Sequence, residues 1–145
     1  MAVTANQITK RQGRDGARVK VPVAASKRLY GGTLCFLDAG GDASDVINTD
    51  VGLFCGIVVD EVNNTGADAA IGVEVWTDGV FELPMSGADL VLADLGKTVY
   101  AVDNYSLSET GANQPVVGTI VGIVSTSVAR VSIKGLGNGI MVAPT

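Results

Sequence analysis

Gly31-Gly32-Thr33-Leu34-Cys35-Phe36-Leu37-Asp38 is answered later in the chain by Gly96-Lys97-Thr98-Val99-Tyr100-Ala101-Val102-Asp103. Each octet is followed by a second matching frame, Val51-Gly52-Leu53-Phe54-Cys55-Gly56-Ile57-Val58 and Val117-Gly118-Thr119-Ile120-Val121-Gly122-Ile123-Val124. Gly, Thr and Asp recur in the first pair; Val-Gly, three residues, then Gly-Ile-Val recur in the second. A duplicated short-strand unit predicts an all-β domain, a small β-barrel or sandwich of two similar halves that bury their apolar faces against each other. The pseudo-repeats span about 21–80 and 83–135 within a single β domain, 17–145, preceded by an extended N-terminal arm, 1–16. The repeated residues space, turn and pack. None of them does chemistry.

Around these frames the chain keeps the same character. Arg18-Val19-Lys20-Val21 alternates polar and apolar, which predicts a strand. Pro22 cannot donate to a ladder, so that strand lies at an edge or stops there, and such an edge can accept a strand from another chain. Strands are predicted at 33–37, 51–60, 97–102, 116–124 and 128–134, the last two joined by a tight Ser-Thr-Ser connection. Val131-x-Ile133 stands as the second copy's counterpart of Val73-x-Val75. Asp78-Gly79, between Val73-Glu74-Val75-Trp76 and Val80-Phe81-Glu82-Leu83, predicts a two-residue hairpin with Trp76 facing Phe81 and Glu74 facing Leu83. Both faces of that hairpin carry apolar residues, so Trp76 and Phe81 are candidate contacts with an oligomer partner. Residues 86–93 are the one stretch with helical or turn character.

The 145 residues suit one domain, and nearly half are apolar, enough for a core. Nineteen glycines among Val, Ile and Thr predict many tight turns between short strands. Cys35 and Cys55 sit inside apolar runs and read as buried free thiols, not as a metal or redox pair. No apolar leader opens the chain and no apolar run is long enough to span a bilayer, so a soluble protein made in a cytoplasm is expected.

The net charge of −5 hides a division. In residues 1–28, Lys10, Arg11, Arg14, Arg18, Lys20, Lys27 and Arg28 oppose Asp15 alone, a net +6. In residues 29–145, Lys97, Arg130 and Lys134 oppose fourteen carboxylates, a net −11. A basic segment joined to an acidic body needs an acidic surface to lie on: nucleic acid, a neighbouring copy's body, or another protein. Those seven cations are the candidate partner-binding residues. Nucleic acid is the weaker choice, because Tyr30 is the only aromatic beside the segment and the body would repel a polyanion.

Catalytic and metal readings find little support. The chain has no histidine, which removes the commonest general base and metal ligand, and it contains neither a nucleophile elbow nor a Ser-x-x-Lys frame. Asp38, Asp42, Asp45 and Asp50 crowd one Gly-rich loop, but their spacing departs from the EF-hand order, so a solvated acidic loop is expected. Gly135-Leu136-Gly137-Asn138-Gly139 lacks the Lys-Ser/Thr and the helix of a phosphate loop. No enzyme activity, cofactor or metal is expected.

Gly79-Val80-Phe81-Glu82-Leu83-Pro84, Gly96-Lys97-Thr98-Val99-Tyr100 and the Val-Gly-x-x-x-Gly-Ile-Val frame together resemble the small cement, or head-decoration, proteins of phage capsids. The likeness covers about residues 20–135. It implies a virion protein on the capsid exterior, bound where major capsid protein subunits meet. It also implies a symmetric oligomer, with a trimer suited to three-fold sites ahead of a dimer. A nucleic-acid-binding protein that uses the basic segment, and a tail or baseplate subunit, are the alternatives.

Overall fold

The computed structural model describes residues 2–7, 11–12, 18–48, 53–87, 89–111 and 114–136, with the backbone alone at 11–12. Thirteen strands follow one another: β1 Arg11–Gln12, β2 Arg18–Pro22, β3 Arg28–Leu29, β4 Leu34–Leu37, β5 Ala43–Ser44, β6 Phe54–Val58, β7 Val62–Asn63, β8 Gly72–Trp76, β9 Asp78–Pro84, β10 Thr98–Ala101, β11 Leu107–Ser108, β12 Val116–Ser125 and β13 Val128–Lys134. A single 3-10 turn, Leu92–Asp94, is the helical element of the described residues. The fold is an all-β sandwich. One sheet runs β2-β8-β6-β4-β5, the other β1-β9-β13-β12-β10-β11, and β3 pairs with β7 apart from both.

The duplication is real, strand for strand. β2, β8, β6, β4 and β5 match β9, β13, β12, β10 and β11 in order and pairing. Cys35 faces Gly56 beside a register break at Phe36, and Val99 faces Gly118 beside a break at Tyr100. Each sheet curls until the residue after its first strand bridges its last: Val23 to Ala43, and Met85 to Leu107. The match sets Gly32, not Gly31, against Gly96. Both take positive φ, 78° and 88°, and both donate N–H at 2.8 Å, to Val58 and Ile120. It likewise sets Gly56 against Gly118 and not Gly122, and Val73 and Val75 against Ala129 and Val131. Identity of letters misplaces the registers because bulges, not residue types, fix the ladder.

The hairpin expected at Asp78-Gly79 does not form. Both edges of β8 are already taken, by β2 and by β6, so β9 has no place beside it. The chain instead crosses at the buried Thr77 into the other sheet, where β9 pairs with β13 along its whole length. Gly79, at φ 118°, supplies the left-handed backbone for the crossing. Trp76 therefore faces Arg18 and Ile57, Phe81 faces Val131 and Arg11, Glu74 faces Lys20, and Leu83 faces Ala129. After β13 the chain crosses back: Gly135 N–H donates to Thr77 O and Leu136 N–H to Cys55 O, each at 2.8 Å.

Packing follows from side-chain alternation. Leu34, Phe36, Phe54 and Ile57 face the other sheet and meet Phe81, Leu83, Val99, Ile120 and Val131 in the main core. Phe36 and Phe54 are cross-strand partners with ring centroids 6.3 Å apart. The opposite face of the five-stranded sheet carries Val21, Cys35, Cys55, Val73 and Val75, covered by Leu29, Val62 and Leu136. This sheet is buried on both faces, which is why β6 reads Phe-Cys-Gly-Ile-Val without a polar break. Cys35 and Cys55 are free and buried, and the Cys35 thiol is pushed well up by its hydrogen bond with Cys55 and by burial.

Candidate interaction surfaces

Arg18, Lys27 and Arg28 of the basic segment meet different carboxylates of the body. Arg18 lies 4.7 Å over the Trp76 ring and 3.6 Å from Glu74. Lys20 faces Glu74 across β2 and β8. Lys27 lies 3.4 Å from Asp45. Arg28 pairs with Glu61 and stacks 5.2 Å over Tyr30. Lys10, Arg14 and the Arg11 side chain fall outside the described residues, as do Asp50 and residues 137–145; the Arg11 backbone pairs with Phe81. The acidic surface that the basic segment meets is thus partly the chain's own body.

Arg28 and Glu61 also anchor the N-terminal segment. Glu61 Oε1 accepts from Asn6 Nδ2 at 2.9 Å, and Asn6 Oδ1 accepts from Gly31 N–H at 2.8 Å. Val3 exchanges two hydrogen bonds with the buried Asn104 side chain, at 2.9 and 3.1 Å. The hydrogen bond with Glu61 raises the Arg28 guanidinium's pKa, while Arg28 and then Asn6 hold the Glu61 carboxyl below the usual carboxylate range. Residues 2–7 therefore lie across both halves, held by Gly31 and Glu61 of the first and by Asn104 of the second.

The second half differs at the matching place. Among the described residues the β3-β7 pair, which holds Arg28 beside Glu61, has no counterpart there, and exposed apolar groups stand on the loop between β9 and β10. Leu92 is 77% exposed, Val91 58% and Leu95 46%, and beside them on β12 Val121 and Val124 are exposed as well. The loop holding the three is tied at one end to β12 and at the other to the turn that follows it. Leu90 N–H donates to Thr126 O at 3.0 Å, and Gly96 N–H to Ile120 O at 2.8 Å. Within the loop, Asp94 Oδ2 accepts Val91 N–H and Oδ1 accepts Lys97 Nζ, both at 2.8 Å, and Glu109 lies 3.5 Å from Lys97. Lys97, followed by the Val91 N–H, holds the Asp94 carboxyl low, and Asp94 holds Lys97 high. Ordered backbone thus presents an apolar strip to solvent. The sequence held a signal for it, Leu90-Val91-Leu92 as three successive large apolar residues inside the 86–93 stretch of helical or turn character.

Of the two aromatic contact candidates, Trp76 is half-buried and reaches the surface beside Arg18. Phe81 is 1% exposed and belongs to the main core, because β9 joins the other sheet and turns that side chain inward; it offers no surface contact. In the acidic loop, Asp38 Oδ1 accepts the N–H groups of Gly40 and Asp42 at 2.9 Å each. The Asp42 carboxyl is pushed up by burial and then by Asp38 and Asp68. The described residues hold no group of three or more acidic or cysteine side chains arranged for a metal ion. No helix among them is long and apolar enough to cross a membrane. Compared with known protein families, with curated proteins and with solved structures, the chain matches none.

Proposed function

We propose that this protein is a structural virion subunit that decorates and stabilises a bacteriophage capsid from outside, bound to the major capsid protein lattice as a symmetric oligomer. The observation that carries the reading is the exposed apolar Val91, Leu92 and Leu95 on a hydrogen-bonded loop, with exposed Val121 and Val124 on β12, the strand to which that loop is tied. Large apolar side chains gathered at the surface of a small domain mark a place where another protein sits. The family likeness of residues 79–84 and 96–100 names the kind of partner. Each docked molecule adds contacts that must break before neighbouring capsomers separate, and weak individual contacts become strong when a lattice presents many at once.

The engagement of Lys27 and Arg28 with the chain's own carboxylates weighs against a nucleic-acid reading. A tail or baseplate subunit would use the same kind of surface on a different lattice. Heating expanded, undecorated capsids with and without the protein tests the proposal. The expected result is rupture at a higher temperature when the protein is present, and an unchanged rupture temperature contradicts it.

A further inference from the structure

The two halves differ at a second place, the outer edge of each leading strand. In the second half that edge, on β9, is covered: Arg11 and Gln12 of β1 pair with Phe81 and Val80. The matching positions of the first half are Val19 and Arg18 on β2. Among the described residues, β2 pairs with β8 on one side, and no strand lies on the other until Val23 bridges Ala43. The same backbone geometry that accepts a strand on β9 is therefore presented on β2.

The charges differ between these twin edges. β9 carries Glu82 where β2 carries Lys20, and Val80 where β2 carries Arg18. The strand laid on β9 is Arg11–Gln12 of the basic segment. On β2, Arg18 and Lys20 are both exposed and lie on one face of the strand, with Val19 between them on the other. The shallow groove next to Lys20, about 380 Å³ and lined by Asp60, Val62, Gly72 and Glu74, lies on the β8 side of β2 and takes no part in this edge.

We infer that the free edge of β2 accepts an extended acidic segment of a partner protein as an added antiparallel strand. Its carboxylates would stand opposite Arg18 and Lys20, and an apolar residue between them would face Val19. Directly opposed side chains share a face of the sheet, so a Glu-apolar-Glu alternation meets both cations at once. The backbone ladder supplies affinity and the alternation supplies choice of sequence. A second copy's Lys10-Arg11-Gln12 is a poor occupant because it would bring like charge to Arg18 and Lys20. The inference does not rest on the capsid reading.

Trp76, the single tryptophan of the chain, lies under Arg18 and reports on this edge. The full-length protein is titrated with a capped seven-residue peptide of alternating Glu and Val, with its Lys-Val counterpart, and with a single-stranded oligonucleotide. Trp76 fluorescence and amide hydrogen exchange are followed in each case. The acidic peptide should give a saturable change in Trp76 and slow the exchange of amides in 18–21. The double variant Arg18→Glu, Lys20→Glu, checked for an unchanged melt, should bind the acidic peptide at least about tenfold more weakly and prefer the basic one. No saturable change, equal binding of both peptides, or the same protection from the oligonucleotide would overturn the inference. Amides in 18–21 that exchange slowly before any peptide is added would also overturn it, since the chain would then close its own edge. Peptide binding without capsid stabilisation would discard the decoration reading alone, and the converse would discard this edge alone.

Discussion

Gly56 and Gly118 occupy the same place in the two halves, each opposite a register break and each beneath the backbone of the next strand. A β-carbon on Gly56 would strike the carbonyl of Trp76, and one on Gly118 the carbonyl of Ser132. Gly118→Ala should therefore destabilise the protein by ~2 kcal/mol or more, since backbone cannot move aside as a side chain can. Gly122→Ala meets only Arg130 side-chain atoms at 3.3 Å and should stay within ~1 kcal/mol of wild type. Thermal melts of the two variants check the structural alignment of the repeats. Equal losses would contradict it.

Asn64 is buried and its Nδ2 donates to the carbonyls of Val23, Ala24 and Ala67, at 3.0, 3.1 and 2.9 Å. In Asn64→Ala the Val23 and Ala67 carbonyls keep the N–H groups of Ala69 and Ala70 while Ala24 O loses the Asn64 amide, which should cost ~1–3 kcal/mol. Denaturant unfolding would show a lower midpoint with an unchanged slope.

The apolar strip should respond to acid through Asp94. Its carboxyl is held low in the folded protein by Lys97 and the Val91 N–H. A depressed folded pKa contributes stability that is fully present above the ordinary carboxylate value, about 4, and is lost as pH falls through the folded value. The Val91 amide should stay protected from pH 7 to 5 and exchange faster below about pH 4, after correction for intrinsic exchange. Protection that weakens between pH 7 and 5 would contradict the assignment.

Glu61→Gln removes the charge that binds Arg28 and weakens the hold on Asn6. Amides of residues 2–7 should then exchange faster, while those of β12 and β13 do not change. If the whole protein loosens instead, the N-terminal segment is part of the core and not a strap laid over it.

Much of this fold was legible. The strands at 34–37, 54–58, 98–101, 116–125 and 128–134 follow apolar β-branched runs, Pro22 ends the edge strand β2, and both cysteines are buried as their apolar neighbours implied. Asp78-Gly79 misled because turn chemistry is local, whereas the seven-residue pairing of β9 with the distant β13 is not. Strands of two residues, such as β5 and β11, are too short to leave a period. The interaction surfaces were the least readable. Exposed Leu92 and the unlike edges of β2 and β9 appear only when the two halves are set side by side in space.

On the proposed function, the Leu92 strip seats this protein on a capsid. Wild type and Leu92→Asp, a surface change that should leave the melt within about 0.5 kcal/mol of wild type, are each mixed with expanded, undecorated capsids and sedimented. The wild-type protein should pellet to a fixed saturating ratio with the major capsid protein, and Leu92→Asp should remain largely in the supernatant. Wild type that stays in the supernatant, or a variant that pellets equally well, would contradict the account.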